Sequence, residues 1–180
     1  YSTRQPTGMS SETNVTASAL QIVVQGSLVL IKEIETSRTV SQLKLGNHIA
    51  VKADLSADEQ KAVVAFADQQ VQVFNTRTGE PMTPLLSLGG PIRAVQFSQN
   101  GQLLLTVSGK SIRIWNTTTG ANQSRYDATS GAVLSAEFTP DARRVVATFM
   151  ESGKRQTILL DAGTGKPMTS EIPGDNYWLS

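Results

Sequence analysis

The sequence has no cysteine and only one histidine, His48, among its 180 residues. Disulfide scaffolds, thiol catalysis, cysteine-based zinc sites and clusters of several histidines are therefore excluded. The formal net charge is +1 at pH 7, so the composition lacks the charge excess that is typical of proteins that bind nucleic acids or membrane surfaces. A chain without cysteine fits reducing and oxidising compartments equally well, and the localisation stays open between cytoplasm and periplasm.

Long apolar runs are also absent. One of the longest, Ala62–Ala67, contains six residues, whereas a helix needs about 20 to span a bilayer. We therefore expect no membrane insertion, and the N-terminal residues lack the apolar core of a signal peptide. Residues 1–18 are polar and rich in Ser and Thr, which predicts a tail or linker. Across the whole chain, 39% hydrophobic and 17% charged residues are typical of a folded domain.

Two landmarks recur along the chain with one period. The first is an apolar anchor beside a polar turn, and its copies are 42 and 41 residues apart at Leu55, Phe97 and Phe138. The second is an apolar segment followed by Asn or Asp and then by glycine, at Gly79, Gly120 and Gly165. A shared period of about 41 residues indicates a structural repeat. The third unit is longer because Glu151–Lys154 are inserted before its second landmark.

Each unit is predicted to contain four strands. In the third unit counted from the N-terminus, the first strand alternates with a slip of phase between Ile92 and Val95, and the turn Asn100-Gly101 favours a hairpin. The second strand is an apolar run, and the third alternates up to Trp115. A polar fourth strand is typical of an exposed edge. Ser56–Phe66 alone resembles a capped helix start, but the register shared by all units predicts a turn and a strand there instead.

Antiparallel four-stranded units of this length are typical of the blades of a β-propeller. The sequence resembles the WD-repeat family, and most of all its bacterial members. Trp115-Asn116 corresponds to the family's Trp-Asp pair, Phe138–Ala142 to its Phe-Ser-Pro-Asp-Gly turn, and Thr78–Met82 to its Thr-Gly-x-Pro string. The Gly-His dipeptide is missing, with Asn47-His48 as its nearest counterpart. The Asp-His-Ser/Thr-Trp network of the family therefore cannot form as a whole, and we expect the blades to depend on apolar packing.

The resemblance implies an all-β fold of propeller blades. We assign 1–18 to the tail, 19–180 to the propeller segment, and the blades approximately to 19–45, 46–87, 88–128 and 129–171, with 172–180 beginning or closing a further blade. The first blade lacks an obvious first strand. We favour a partial propeller over a four-bladed ring closed by the C-terminal segment, because four-bladed closure is uncommon and the WD-type twist suits more blades.

No constellation of residues predicts catalysis, a cofactor or a metal ion. His48 lies in a loop between blades, where a structural role is expected. Asp161–Lys166 resembles a phosphate-binding loop, but Leu160 and Pro167 break that pattern. The carboxylates are scattered, and interleaved aromatic and basic residues that would bind nucleic acid are missing. Neither an enzyme nor a nucleic-acid-binding protein is therefore expected.

Function is then predicted to reside in the loops. In the family's geometry, the fourth-to-first and second-to-third connections share one face, where propellers bind partners. The candidate partner-binding residues on these loops are His48, Gln69, Gln70, Lys110, Glu151, Lys154 and Arg155. We predict a non-catalytic protein-interaction or assembly scaffold, and one candidate partner is the chain or segment that completes the propeller. The alternative is a regulatory or ligand-sensing propeller domain of a larger bacterial signalling protein or propeller enzyme, whose site is completed by missing blades.

Overall fold

The structure is a computed structural model that describes residues 19–129 and 131–168 in full and 172–173 through their backbone pairing. Every strand within these residues belongs to one of four antiparallel sheets, so the predicted all-β fold is confirmed. None of the described residues forms a helix that is long and apolar enough to cross a membrane. The predicted N-terminal tail and the segment 177–179 lie outside the described residues.

The four sheets follow one another in chain order, and we number them as blades 1 to 4. Blade 1 contains β1 (Leu20–Gln25), β2 (Leu28–Glu33) and β3 (Thr39–Gln42). Blade 2 contains β4 (Ala50–Leu55), β5 (Lys61–Phe66), β6 (Gln70–Asn75) and β7 (Leu86–Ser87). Blade 3 contains β8 (Ile92–Phe97), β9 (Leu103–Ser108), β10 (Ser111–Asn116) and β11 (Asn122–Asp127). Blade 4 contains β12 (Ala132–Phe138), β13 (Arg144–Glu151), β14 (Lys154–Asp161) and β15 (Ile172–Pro173).

The second strand of an inner blade is mostly apolar because both of its faces are covered. In β5, Ala62 and Val64 pack against blade 1, whereas Val63 and Ala65 pack against blade 3. Successive side chains of a strand point to opposite faces of its sheet, so a blade with a neighbour on each side needs apolar residues at consecutive positions. The position of a blade between two neighbouring blades explains the apolar runs that mark each repeat.

Three apolar cores join the four blades in series. One core lies between blades 1 and 2, the next between blades 2 and 3, and the third between blades 3 and 4. Within residues 19–129 and 131–168, no core joins blade 4 to blade 1. These residues therefore form an open series of blades, which is consistent with a partial propeller. Most of the C-terminal segment that would close the alternative four-bladed ring lies outside the described residues.

The segment with the helix-like signature is a turn and a strand. The Ser56 hydroxyl donates to Asp58 Oδ1 at 2.6 Å, the Lys61 amide donates to Ser56 Oγ at 3.0 Å, and Glu59 has a φ of +56°. A residue with positive φ cannot continue a right-handed helix. The same hydroxyl–Asx arrangement recurs at Ser98 with Asn100 and at Thr139 with Asp141, which shows that the repeat determines this turn.

In blades 2 to 4, Asn or Asp at the end of the third strand organises the next turn. Asn116 Oδ1 accepts hydrogen bonds from the amides of Thr118 and Thr119, both at 2.9 Å, and Asp161 Oδ1 accepts from Thr164 at 2.7 Å. Asx side chains stabilise turns by accepting from backbone amides in this way. Both kinds of turn lie at the same end of the sheets, which we call the turn face.

Asp141 and Asp161 are two of the carboxylates on the turn face whose pKa values are lowered. The hydroxyl of Thr139 and the Arg143 amide lower the pKa of Asp141, and the hydroxyl and amide of Thr164 lower that of Asp161. A carboxylate whose pKa is lower in the folded than in the unfolded chain stabilises the fold above its unfolded pKa, about 4. That stability is lost as the pH falls below about 4 and through the folded value.

Replacing both carboxylates by Asn is expected to flatten the decline of the melting temperature at pH values below about 4. At pH 7 the Asp141→Asn/Asp161→Asn variant should melt close to the wild type, because Asn100 and Asn116 accept the same hydrogen bonds in blade 3. Thermal unfolding followed by circular dichroism, from neutral to strongly acidic pH, measures both effects. An unchanged acid decline would show that the two carboxylates do not contribute to it.

Candidate partner-binding surface

One end of the blades carries all the predicted partner-binding loops. It is formed by the β1–β2, β5–β6, β9–β10 and β13–β14 turns and by the connections between successive blades, and we call it the loop face. Backbone hydrogen bonds join the two kinds of connection: the Leu88 amide donates to the Gln69 carbonyl at 3.2 Å, and the Ala128 amide donates to the Lys110 carbonyl at 3.0 Å. The loop face lies opposite the turn face because adjacent strands of each sheet are antiparallel.

Three polar side chains form a cluster on the loop face beside blade 2. His48 Nδ1 lies 2.8 Å from Asp68 Oδ2, and Gln70 Nε2 donates to the same carboxylate oxygen at 3.0 Å. The His48 ring also packs against Phe66, with ring centroids 4.9 Å apart. Asp68 thus joins two of the predicted residues, although it was not itself one of the predicted candidates.

The family's hydrogen-bond network is divided between two blades. Blade 2 holds the His48–Asp68 pair, but the position of the Trp is occupied by Phe74. Blade 3 holds the other half, because Trp115 Nε1 donates to Thr106 Oγ1 at 2.9 Å. The positions of blade 3 that correspond to His48 and Asp68 are occupied by Gly90 and Gly109. The prediction that the complete network cannot form is therefore confirmed for these blades.

The remaining predicted residues lie apart from this cluster. Lys110 is exposed in the β9–β10 turn, while Glu151, Lys154 and Arg155 lie at the ends of β13 and β14. Among the described residues, no hydrogen bond or ion pair joins them to the cluster around Asp68. The structure therefore brings together only His48 and Gln70, with Gln69 in the intervening turn.

The inserted segment of blade 4 extends a hairpin and does not form a free loop. β13 and β14 have eight residues each, against six in β9 and β10, and Glu151 pairs with Lys154. Only Ser152 and Gly153 form the turn, with φ of +49° and +79°. Positive φ at both central residues of a two-residue turn matches the twist of the flanking strands. The strands therefore stay paired up to Glu151 and Lys154, and the inserted residues lengthen the hairpin.

Three β-bulges expose side chains at one repeated position of the loop face. The register shifts between Ala50 and Lys52, between Ile92 and Ala94, and between Val133 and Ser135. The extra residues are Val51, Arg93 and Leu134; the two apolar ones are 59% and 40% exposed, and Arg93 is also exposed. A bulge changes the direction of a side chain and is frequent at functional sites. The phase slip in the sequence signalled the bulge of blade 3, but sequence reasoning did not identify these residues as a surface.

Two clefts lie on the turn face, away from these residues. One, of about 330 Å³, separates blades 1 and 2 and is lined in part by Glu33, Arg38 and Asp58. Hydrogen bonds from Arg38 and then from Thr36 lower the pKa of Glu33 to about 2. In residues 19–129 and 131–168 no three acidic or histidine side chains are grouped as a metal site would require.

Comparison with known proteins identifies the repeat. The family model described as "WD domain, G-beta repeat" matches residues 82–116, which run from the outer strand of blade 2 to β10. The chain is 30% identical over 146 residues to the COMPASS component SWD3 of Saccharomyces cerevisiae, covering 79% of this chain and 45% of that protein. It is 28% identical over 144 residues to the uncharacterized WD repeat-containing protein sll1491 of Synechocystis sp., covering 77% of this chain and 41% of that protein.

The chain spans less than half of the length of either relative. The matched repeat is offset by one strand from the blade, because it includes the outer strand of one sheet and the three inner strands of the next. A repeat that is shared between two sheets links neighbouring blades covalently. The repeat model, the two relatives and the four sheets agree: the chain belongs to the WD-repeat family, as a divergent member.

Proposed function

We propose that the chain is a non-catalytic module that binds a protein partner through its loop face. WD repeats and the likeness to a component of a protein complex support a protein-interaction role in general. The observation that carries the finer proposal is the row of bulged residues, Val51, Arg93 and Leu134, which repeats one exposed position across three blades. Exposed apolar side chains beside a charged one are typical of the contact residues of an interface.

The chemistry of the loop face favours a partner segment with carboxylates and apolar side chains. Arg93, Lys110, Lys154 and Arg155 are exposed and make no ion pair with any described residue. The Asp68 carboxylate, by contrast, is engaged by His48 and Gln70. The charge available to a partner on this face is therefore mainly positive, with Val51 and Leu134 supplying apolar contacts.

The predicted loop residues extend this surface. Gln69 and Gln70 lie beside the bulge of blade 2, and Lys110 lies in the corresponding turn of blade 3. Glu151, Lys154 and Arg155 belong to the longer hairpin of blade 4, which projects further than its counterparts. We propose that these side chains form the polar rim around the bulged residues, since interfaces combine an apolar centre with a polar rim.

The test compares two variants that carry the same added charge on opposite faces. Val51→Asp/Leu134→Asp is expected to weaken binding of the purified partner at least about tenfold, because it places carboxylates in an apolar contact on a positive surface. Thr118→Asp/Gln123→Asp, on the turn face, should bind like the wild type. The partner is first identified by cross-linking from a photoreactive residue at position 93, and affinity is then measured by calorimetry.

Equal weakening by both variants, or by neither, would contradict a loop-face interaction. Thermal unfolding of each variant separates lost binding from lost folding, since all four positions lie on the surface of the blades. If a small molecule and no protein is bound at the loop face, the alternative of a ligand-sensing propeller domain is favoured instead.

A further inference from the structure

A lysine closes the junction between blades 2 and 3 on the turn face. Lys61, the first residue of β5, donates from Nζ to the Gly101 carbonyl at 2.7 Å and to Thr117 Oγ1 at 2.9 Å. Thr117 Oγ1 in turn donates to the Gly101 carbonyl at 2.8 Å, and Thr117 is 0% exposed. In blade 3, a turn carbonyl and a buried threonine hydroxyl therefore form a pair of acceptors for a primary ammonium, which we call the acceptor pair.

Blade 2 contains the same acceptor pair, but no described ammonium occupies it. Thr76 Oγ1 donates to the Glu59 carbonyl at 2.6 Å, as Thr117 does to Gly101. Thr76 is only 3% exposed, and its hydroxyl oxygen accepts no hydrogen bond from residues 19–129 or 131–168. Buried polar groups usually find partners, so a buried hydroxyl with an unused acceptor position is a place where a donor is expected.

The junction between blades 1 and 2 lacks the lysine that would fill this pair. Its position is taken by Leu20, which pairs with Glu33 as Lys61 pairs with Asn75. The cleft of about 330 Å³ lies at this junction, and its lining includes Leu20 and both residues of the acceptor pair of blade 2. The place that corresponds to the side chain of Lys61 is therefore open to a ligand.

Three positions that are neutral at the junction of blades 2 and 3 are acidic around this cleft. The correspondence follows from the strand pairing and from the hydrogen bonds of the turns. The acidic residues and their neutral counterparts are Glu33 for Asn75, Asp58 for Asn100 and Glu59 for Gly101. The cleft without a lysine of its own thus has additional carboxylates.

Asp58 and Glu59 carry the negative charge that is available to a ligand. Glu33 is engaged in an ion pair with Arg38, whereas Arg77, which also lines the cleft, makes no ion pair with any described residue. Two carboxylates therefore face one guanidinium. Glu59 also has a φ of +56°, a conformation that is costly for a residue with a Cβ, at the position where blade 3 has glycine.

We propose that this cleft binds a primary ammonium group at the end of an unbranched aliphatic chain, which is the side chain of a lysine in a protein partner or a free polyamine. The ammonium donates to the acceptor pair of blade 2, as Lys61 does to that of blade 3, and the carboxylates of Asp58 and Glu59 balance its charge. Leu20 and Val40 line the same cleft and contact the methylene groups, since such chains bury their apolar stems. The site lies on the turn face, so the inference does not depend on the partner of the loop face.

The second cleft of the turn face, of about 470 Å³ between blades 3 and 4, provides a matched comparison. Leu103 takes the position of Lys61 there, as Leu20 does in the first cleft. The threonine of the acceptor pair is missing, however, because Ala162 of blade 4 corresponds to Thr117 of blade 3. We therefore expect no ammonium site in the second cleft.

The test uses n-butylamine, which reproduces the side chain of lysine, and follows binding in two-dimensional amide NMR spectra. The amide signals of Glu59 and Thr76 should shift saturably in the wild type. Leu20→Lys is expected to weaken binding at least about tenfold, because the introduced ammonium fills the acceptor pair as that of Lys61 does. Thr76→Val is expected to weaken binding about tenfold through the loss of one hydrogen bond to a charged donor.

The controls separate recognition of the ammonium from other effects. Leu103→Lys, in the second cleft, should leave the affinity for n-butylamine unchanged. n-Butanol has the same length without the charge and should not shift the signals of Glu59 and Thr76. Thermal unfolding shows whether Thr76→Val keeps the fold, and Leu20→Lys provides a variant that removes no buried hydroxyl.

Two larger probes distinguish the sources of the ammonium. A lysine blocked as Nα-acetyl methylamide represents a lysine within a protein partner, and spermidine represents a free polyamine. Tighter binding of the blocked lysine than of n-butylamine supports a protein partner, whereas tighter binding of spermidine alone supports a polyamine.

Equal shifts with n-butanol and n-butylamine would overturn the proposal, because the charge would then not be recognised. An affinity for n-butylamine that neither Leu20→Lys nor Thr76→Val reduces would also overturn it, as would the absence of saturable shifts at Glu59 and Thr76. None of these results involves the loop face, so this proposal and the proposed function can fail independently.

Discussion

Replacing Trp115 by alanine is expected to lower the free energy of unfolding by about 3–5 kcal/mol, the usual range for removing a large aromatic side chain from a core. Trp115 is 7% exposed and packs in the core between blades 2 and 3. Its ring also lies 5.9 Å from the guanidinium of Arg113. The variant loses the apolar contact between two blades as well as the hydrogen bond to Thr106. Urea-induced unfolding monitored by circular dichroism measures the change.

The chain itself supplies the control for this prediction. Blade 2 has Phe74 and Val64 where blade 3 has Trp115 and Thr106, so the pair of blade 2 can be transferred to blade 3. Thr106→Val alone should destabilise by about 1–3 kcal/mol, because it leaves a buried indole N–H without an acceptor. The double variant Thr106→Val/Trp115→Phe should be more stable than the sum of its single changes predicts. A loss below about 1 kcal/mol for Trp115→Ala would contradict the position of Trp115 between blades.

Replacing Gly79 by alanine is expected to destabilise the protein by about 2–4 kcal/mol, through backbone strain and a steric clash together. Gly79 has a φ of +72°, a conformation that residues with a Cβ adopt at a cost. A Cβ there would also collide with the backbone carbonyl of Gln42 in blade 1. The Lys44 amide donates to the Gly79 carbonyl at 2.9 Å, so the turn is held tightly against the preceding blade.

Gly109→Ala separates the two contributions. Gly109 has a similar φ of +57°, but no atom lies within 4 Å of the position that its Cβ would take. This control should therefore lose only about 1 kcal/mol, through backbone strain alone. Chemical unfolding of both variants gives the difference. Equal destabilisation would show that the close approach of blades 1 and 2 at Gly79 does not contribute.

The repeated glycines illustrate how much the period alone revealed. Gly79, Gly120 and Gly165 were landmarks of the sequence, and all three have positive φ. Their second requirement, space for the outer strand of the preceding blade, involves residues that are distant in the chain. Turn chemistry acts within a few residues and can be predicted from sequence. A close approach between sheets depends on how the sheets stack and could not be predicted in this way.

The candidate surface likewise combines residues that could be predicted from the sequence with residues that only the structure reveals. His48, Gln69 and Gln70 were assigned to loops from their place in the repeat, and the structure adds that Asp68 joins His48 to Gln70. The exposed residues Val51 and Leu134 were missed, because apolar residues at the start of a strand are expected on its buried face. Only the register shift of each bulge reveals that they point to solvent.

The sequence by itself determined the all-β repeat, the strands of each blade and the chemistry of the turns, because these depend on local patterns that recur with one period. The tertiary structure decided that the described blades form an open series and that the bulged side chains are exposed at one repeated position of the loop face. These features depend on which faces of successive sheets come into contact. Such contacts are made between residues that are distant in sequence, and no local pattern encodes them.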